Sequence, residues 1–431
     1  MIGRFTQLQA KLRRNRRQLL LVVVNWLLIL TGLVAAQGAT ALALIVVARR
    51  ISPAEYGQYL AIFGLLSLLI VVANFGLESW VLAHSRKFAT DAPHLWPSIV
   101  RIRLRLLLIW LVGVLFLGLI LPANAFPREV VYITALGLAF DSLSSLALSA
   151  LRSSERHNRV TQLQIGSALC LLTITLILPL QPGQLLWFAV ARTAVSGVTA
   201  IIMFIAVGAW RRRSTSPIKP SEILRAARPF VLAETAVAIY LKVDLSIIGL
   251  MLGASGTGLY GPALNLVNIT FMVPNALFFL VMPRLSRAYA NPDRSFQRIG
   301  LAQLLLQGII GLGLSLMIWM LAPWLITLVF GSAYGLSAGV LQLLSPIPFL
   351  KSLNFGLGAI LTAGGLQSHR TKVQILCALL NLMANLIVVG PIGVGGVAVV
   401  YTASEFFLLL GYALTLIRQR QKIHTVSWSS L

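Results

Sequence analysis

The chain has 431 residues, 58% of them hydrophobic and 11% charged. A soluble domain carries about 25% charged residues, so this supply cannot clothe a water-facing surface, and a water-soluble globular fold is excluded. The net charge of +24 then has to be explained within a membrane.

Lys11 to Arg17 followed by an apolar run and Val34-Ala35-Ala36 has the outline of a signal peptide. The run extends over 19–47, too long for an h-region, so it reads as an uncleaved first span. Arg49, Arg50 and Ser52-Pro53 close it, and a second span covers 56–82 with Asn74 and Glu78 one turn apart on one face. Spans at 102–121 and 129–151 flank the Pro122 to Pro127 turn, the latter carrying Asp141. Gln181-Pro182-Gly183 separates 160–180 from 184–207, where Arg192 lies eight residues in, ~12 Å deep. Span seven, 227–252, holds Glu234, Lys242 and Asp244, and the Gly253 to Gly258 turn leads into 258–283 with Pro274. After 300–328 comes 337–363, with Pro346-x-Pro348 just before Lys351. Gly390 to Gly396 then parts 372–389 from 394–417, which carries Glu405. Cys170 and Cys377 sit inside apolar runs and read as packed thiols. The expectation is an all-α integral membrane protein of twelve transmembrane helices.

Charge placement gives the topology. With the N-terminus inside, 29 of the 35 Lys and Arg fall on or next to inner segments, against Arg49, Arg50 and Arg128 outside. That is the positive-inside asymmetry of a multi-pass protein with both termini cytoplasmic, and it accounts for the charge without nucleic acid. The longest inner connection, 208–226, contains Arg211-Arg212-Arg213 and separates an N-terminal lobe, 1–207, from a C-terminal lobe, 227–431. At an offset of 201, Gly57 and Tyr59 match Gly258 and Tyr260, Asn74 matches Asn275, and Ser85-Arg86 matches Ser286-Arg287. A repeat over an even number of helices implies two parallel six-helix lobes around an axis along the membrane normal, with a path at their interface.

The stretch Ala48-Arg49-Arg50-Ile51-Ser52-Pro53-Ala54-Glu55-Tyr56-Gly57-Gln58-Tyr59 resembles the first outer loop of Wzx-type polysaccharide flippases, of the multidrug/oligosaccharidyl-lipid/polysaccharide exporter superfamily. Tyr240-Leu241-Lys242-Val243-Asp244 with Gly256-Thr257-Gly258-Leu259-Tyr260-Gly261-Pro262-Ala263 resembles that family's seventh span and the turn into its eighth. Phe330-Gly331-Ser332-Ala333-Tyr334 and Gly390-Pro391-Ile392-Gly393-Val394-Gly395-Gly396 resemble two later connections. The resemblance implies a central cavity, alternating access and a polyprenyl-pyrophosphate-linked glycan as substrate. It also implies a cytoplasmic-membrane location, surrounding membrane lipids, and polysaccharide polymerase or assembly proteins as partners.

A charge at mid-bilayer costs ~3 kcal/mol or more, so each intramembrane charge needs a partner or a wet cavity. Arg192, Lys242 and Lys351 come from both lobes and are candidates for an electropositive cavity, where they would replace the water of a pyrophosphate. The alternative is that each neutralises a buried acid such as Glu234, Asp244 or Glu405. Arg49, with Arg50, lies at the outer rim, facing headgroups or touching substrate. Lys242 and Asp244 are two residues apart, ~200° around a helix, so they face different ways. Asp244 and Glu78 are candidates for H+ or Na+ coupling or for structural pairing, and no resident cofactor or metal is expected. The prolines before Lys351 and at 274 are hinges or static bends.

An enzyme is disfavoured. Outer loops are short and carry only Glu55 and Glu129, and the five histidines are scattered without metal-ligand spacing. Phosphate-loop and nucleophile-elbow patterns are missing. A multidrug exporter of the same superfamily and a non-transporting scaffold for glycosylation are the competing readings.

Overall fold

The computed structural model describes residues 32, 34–154, 156–208, 220–289 and 295–419. The Lys11 to Arg17 cluster, the start of the first span and Arg211-Arg212-Arg213 lie outside them. The described residues are helical with short turns and contain no strand.

Helix α1 covers 34–50. Ser52 caps α2 (Pro53–Asn74) with a capping box: its hydroxyl accepts from the Glu55 N–H while the Glu55 carboxylate accepts from the Ser52 N–H, and Pro53 occupies the first turn. The expected second span is broken. Phe75 (φ 50°) and Gly76 (φ 62°) take the left-handed conformation, and a short α3 (Leu77–Ala83) continues at a new angle. A Cβ on Gly76 would meet the Phe230 backbone at 2.9 Å, so the bend also allows close approach. The N-terminal lobe is completed by α4 (Ser85–Ile120), α5 (Arg128–Ser153), α6 (His157–Ile177) and α7 (Leu185–Val207).

The C-terminal lobe comprises α8 (Pro220–Met251), α9 (Gly253–Thr270), α10 (Met272–Tyr289), α11 (Ser295–Phe330), α12 (Ser337–Leu344), α13 (Ile347–Ala363) and α14 (Gln367–Arg418). Residues 220–226, expected in the interlobe linker, are the first turns of α8. Among the described residues nine helices are long and apolar enough to span. The 52-residue α14 folds back at Gly393 (φ 70°) into two arms. The 32-residue α8, charged at Lys242 and Asp244, and α1 are the remaining spans. The spanning rods are thus the twelve expected.

The lobes meet chiefly where α2 packs against α8 and α9. A Cβ on Gly57 would lie 1.9 Å from the Ala254 carbonyl oxygen, and one on Gly258 2.5 Å from the Pro53 carbonyl oxygen. These contacts are mates at the same offset of 201, so the glycines of the weak repeat face each other across its pseudo-twofold axis. The Thr257 hydroxyl donates to the Gly57 carbonyl at 2.8 Å. At this end, which charge placement assigns to the outside, one apolar core runs through both lobes, from Val47, Tyr56 and Phe126 to Tyr260, Phe330 and Tyr334. Toward the opposite end it divides. One core centres on Leu77, Trp96 and Leu146, and a separate one on Leu285, Leu361 and Tyr412.

Candidate functional site

The end that charge placement assigns to the outside is closed. Tyr334 donates to the Ala48 carbonyl at 2.9 Å, its ring stands edge-on to Tyr56 (6.1 Å), and Phe330 completes the cluster. Arg49 crosses the same boundary and donates to the carbonyls of Leu328 and, at 2.8 Å, Val329. Those are free carbonyls at the C-terminus of α11, where a cation is favoured. Arg50 does the same for α6, donating to Thr175, Leu176 and Leu178 carbonyls at 2.7–3.0 Å. Arg49 is therefore a rim residue used as an interlobe clasp.

Inward of this plug, with Phe330 in its wall, lies a cavity of about 510 Å³ between α1, α5, α6 and α7 of one lobe and α9–α10 of the other. Hydroxyls and amides dominate its polar lining, among them Gln37, Thr40, Ser144, Gln164, Asn265 and Asn268. Asp141 is the one charged residue among the described lining residues. None of Arg192, Lys242, Lys351 and Arg49, expected together around a cationic chamber, is among the described residues lining this cavity.

Arg192 comes nearest. One guanidinium nitrogen donates to Asp141 at 3.1 Å, the group lies over the Phe63 ring at 4.8 Å, and the other terminal nitrogen has no hydrogen-bond partner. Asp141 thus holds Arg192 at the cavity edge with one donor unused. Lys351, 8% exposed, is sealed in the C-terminal lobe. It donates to Glu405 at 2.6 Å and to Tyr240 at 3.3 Å, while Asn354 donates to the other Glu405 oxygen at 2.8 Å and Tyr240 donates to Glu405. A cation at mid-bilayer with a buried carboxylate within reach has no reason to face water. Lys242 has no acidic partner among the described residues; its ammonium donates to the Ser67 carbonyl of α2 at 3.4 Å, across the lobe boundary.

Asp244 points the other way from Lys242, as the helical spacing requires. It is buried in the C-terminal lobe and accepts from Tyr260 (3.2 Å) and Asn385 (2.8 Å). Asn385 also donates to Asn381, which donates to Ser404. Glu78 sits in a corresponding network of the N-terminal lobe. Arg103, fully buried, donates to Glu78 at 3.1 Å and to Asn74. Ser145 donates to Glu78 at 2.5 Å, and Ser142 to Asn74 at 2.7 Å. Ser145 lines the cavity, so Glu78 lies one hydrogen bond from it.

Sequence reasoning misses Arg103, which at the start of a span is indistinguishable from a cytoplasmic flanking arginine. It also misses Asp141 as the cavity acid and Asn385 as the partner of Asp244. The prolines fall at real breaks: α12 ends at Leu344 before Pro346, and α9 ends at Thr270 before Pro274.

The sequence profile of the family described as polysaccharide biosynthesis protein matches residues 22–289. The chain is 23% identical over 377 residues to the probable low-salt glycan biosynthesis flippase Agl15 of Haloferax volcanii, covering 83% of this chain and 75% of that one. Among solved structures, the lipid II flippase MurJ in an inward closed conformation superposes with a TM-score of 0.71 at 13% identity, covering 92% of this chain and 90% of that one. An inward-facing multidrug resistance MATE family transporter of the MOP superfamily gives 0.68 at 14%, covering 91% and 96%. At these identities the structural likeness is one of fold: two helical lobes.

Proposed function

This chain belongs to the polysaccharide biosynthesis protein family, and from that membership we propose that it is a flippase moving lipid-linked oligosaccharide across the cytoplasmic membrane for polysaccharide biosynthesis. The observation that carries the reading is the cavity wall. Gln, Ser, Thr and Asn side chains on both lobes offer donors and acceptors suited to sugar hydroxyls, in a space closed at the outer end. Removing a glycan headgroup from water costs free energy unless its hydrogen bonds are replaced, and this lining replaces them. The lipid tail stays in the bilayer while the lobes rock about the α2–α9 contact.

In this reading the carrier is a polyprenyl pyrophosphate, and the free donor of Arg192 meets its phosphate when the headgroup enters. Lys242, partnered only by a carbonyl, is the second cation that a phosphate could recruit during rocking. Asp244 and Glu78 are the places where H+ or Na+ could be taken up, one in each lobe. Both termini are cytoplasmic, polymerase or assembly proteins receive the product, and the protein performs no covalent chemistry.

The test is a strain lacking the gene, complemented by variants. Lipid-linked oligosaccharide should build up on the inner leaflet without the protein and partly so with Arg192→Ala at normal abundance. Normal surface glycan with Arg192→Ala would remove that residue from the path. Asp141 favours one other reading, a multidrug exporter, because a cationic drug in the cavity could take the place of Arg192 on this acid. Increased sensitivity to lipophilic cations on deletion, with surface glycan intact, would decide for it.

A further inference from the structure

A second space lies on the membrane-facing side of the N-terminal lobe, away from the cavity. It is a groove of about 900 Å³ between α4 and α7 with α5 as its floor. Its walls are apolar: Leu104 of α4, Phe140 and Leu143 of α5, and Ile201 and Phe204 of α7. Gly197 of α7 lies close over Phe140 of the floor, where a Cβ would meet the ring at 3.3 Å, so a larger side chain there would fill the groove. At the inner end the lining changes to Arg156 and Arg159, both exposed. Neither has an acidic partner among the described residues; the Arg156 guanidinium makes one long contact to the Ala206 carbonyl at 3.4 Å.

The dimensions identify the occupant. Gly197 is ten residues from the inner end of α7 and Phe140 thirteen from the inner end of α5, so the groove reaches ~15–20 Å into the membrane at 1.5 Å per residue. That is half of a ~30 Å hydrocarbon core, the length of one leaflet's acyl chains and too short for a carrier that crosses both. An apolar trough of leaflet depth ending in two exposed arginines that have no acidic partner among the described residues is a phosphate-headed lipid site in outline. We propose that the α4–α5–α7 groove binds an anionic glycerophospholipid of the inner leaflet, its phosphate on Arg156 and Arg159 and an acyl chain over Gly197 and Phe140. The lipid would brace α4 against α7, which both pack on α5 and touch each other at Trp96 and Phe204 (5.6 Å). This site is independent of the glycan path and stands or falls without it.

The experiment is thermal unfolding of the purified full chain, delipidated in a neutral detergent and titrated with phosphatidylglycerol, phosphatidylcholine or a polyprenyl phosphate. Phosphatidylglycerol should raise the melting temperature saturably and phosphatidylcholine should not. Arg156→Ala/Arg159→Ala should weaken the apparent affinity on the order of thirtyfold, Arg156→Lys/Arg159→Lys far less, and Gly197→Leu should block the response by filling the floor. Equal responses to phosphatidylglycerol and phosphatidylcholine, an unaltered response in the double alanine variant, or tighter binding of the polyprenyl phosphate would each overturn the proposal. The arginine variants lie on the surface and keep the test valid if Gly197→Leu does not fold.

Discussion

Glu405→Gln separates a structural role for Lys351 from a role in binding. In the folded protein the Lys351 ammonium is 2.6 Å from Glu405, and the carboxylate is fully buried. Neutralising the acid leaves a cation sealed among Tyr240, Phe271 and Tyr401 without a counter-charge. Breaking one partner of a buried pair costs about 3–5 kcal/mol, whereas replacing both is often near neutral. The introduced side chain keeps one oxygen to accept from Tyr240, and its new NH2 can donate to Asn354 once that amide turns its oxygen around, so the main cost comes from the orphaned charge. Lys351→Met alone should be destabilising by a similar amount, because it strands Glu405. The double variant Lys351→Met/Glu405→Gln should recover most of the loss, giving a coupling energy of about 5 kcal/mol or more in a double-mutant cycle. Unfolding by titrated SDS in mixed micelles reads the stabilities, and surface glycan reads the function. If the two single losses simply add, Lys351 is not a structural partner of Glu405; if the double variant is stable but inactive, Lys351 has a place in substrate binding beyond that partnership.

Arg103→Ala should be destabilising by about 3–5 kcal/mol, since it strands the Glu78 carboxylate beside Asn74; the same SDS titration checks it, and Arg103→Ala/Glu78→Gln should be milder. Gly57→Val forces a side chain into the Ala254 carbonyl and should pry the outer end open. An impermeant thiol reagent added from outside should then label Phe330→Cys faster, in a background where Cys170 and Cys377 are replaced by serine. Asp244→Asn keeps the hydrogen bonds of Tyr260 and Asn385 in reach but removes the charge, so transport should lose its dependence on the H+ or Na+ gradient with little change in melting temperature.

Much of the scaffold is legible because the membrane leaves few choices. Apolar runs cut by Ser52-Pro53, Pro122 to Pro127 and Gly390 to Gly396 have to be spans. The opposite facing of Lys242 and Asp244 follows from helical spacing alone. Pairings are another matter. Arg192 and Asp141 are 51 residues apart, and Lys351 and Glu405 are 54 apart; helical periodicity has no bearing on which rods stand side by side. The symmetry of Gly57 and Gly258 is visible as a repeat, yet that the two touch depends on the axis passing between them. The described cavity lining carries no cation because Arg192 is drawn onto Asp141 and Lys351 onto Glu405, a pairing that a count of intramembrane charges cannot reveal.

Reconstitution tests the central claim most directly. Purified protein is placed in vesicles with a fluorescent polyprenyl-pyrophosphate oligosaccharide, and the fraction quenched by an impermeant reductant is followed in time. The account predicts that all of the label becomes accessible with wild-type protein, only about half with empty vesicles, and an intermediate rate with Arg192→Ala. Label that stays half-protected with wild-type protein, in vesicles where the same protein moves a lipophilic cation, would contradict it.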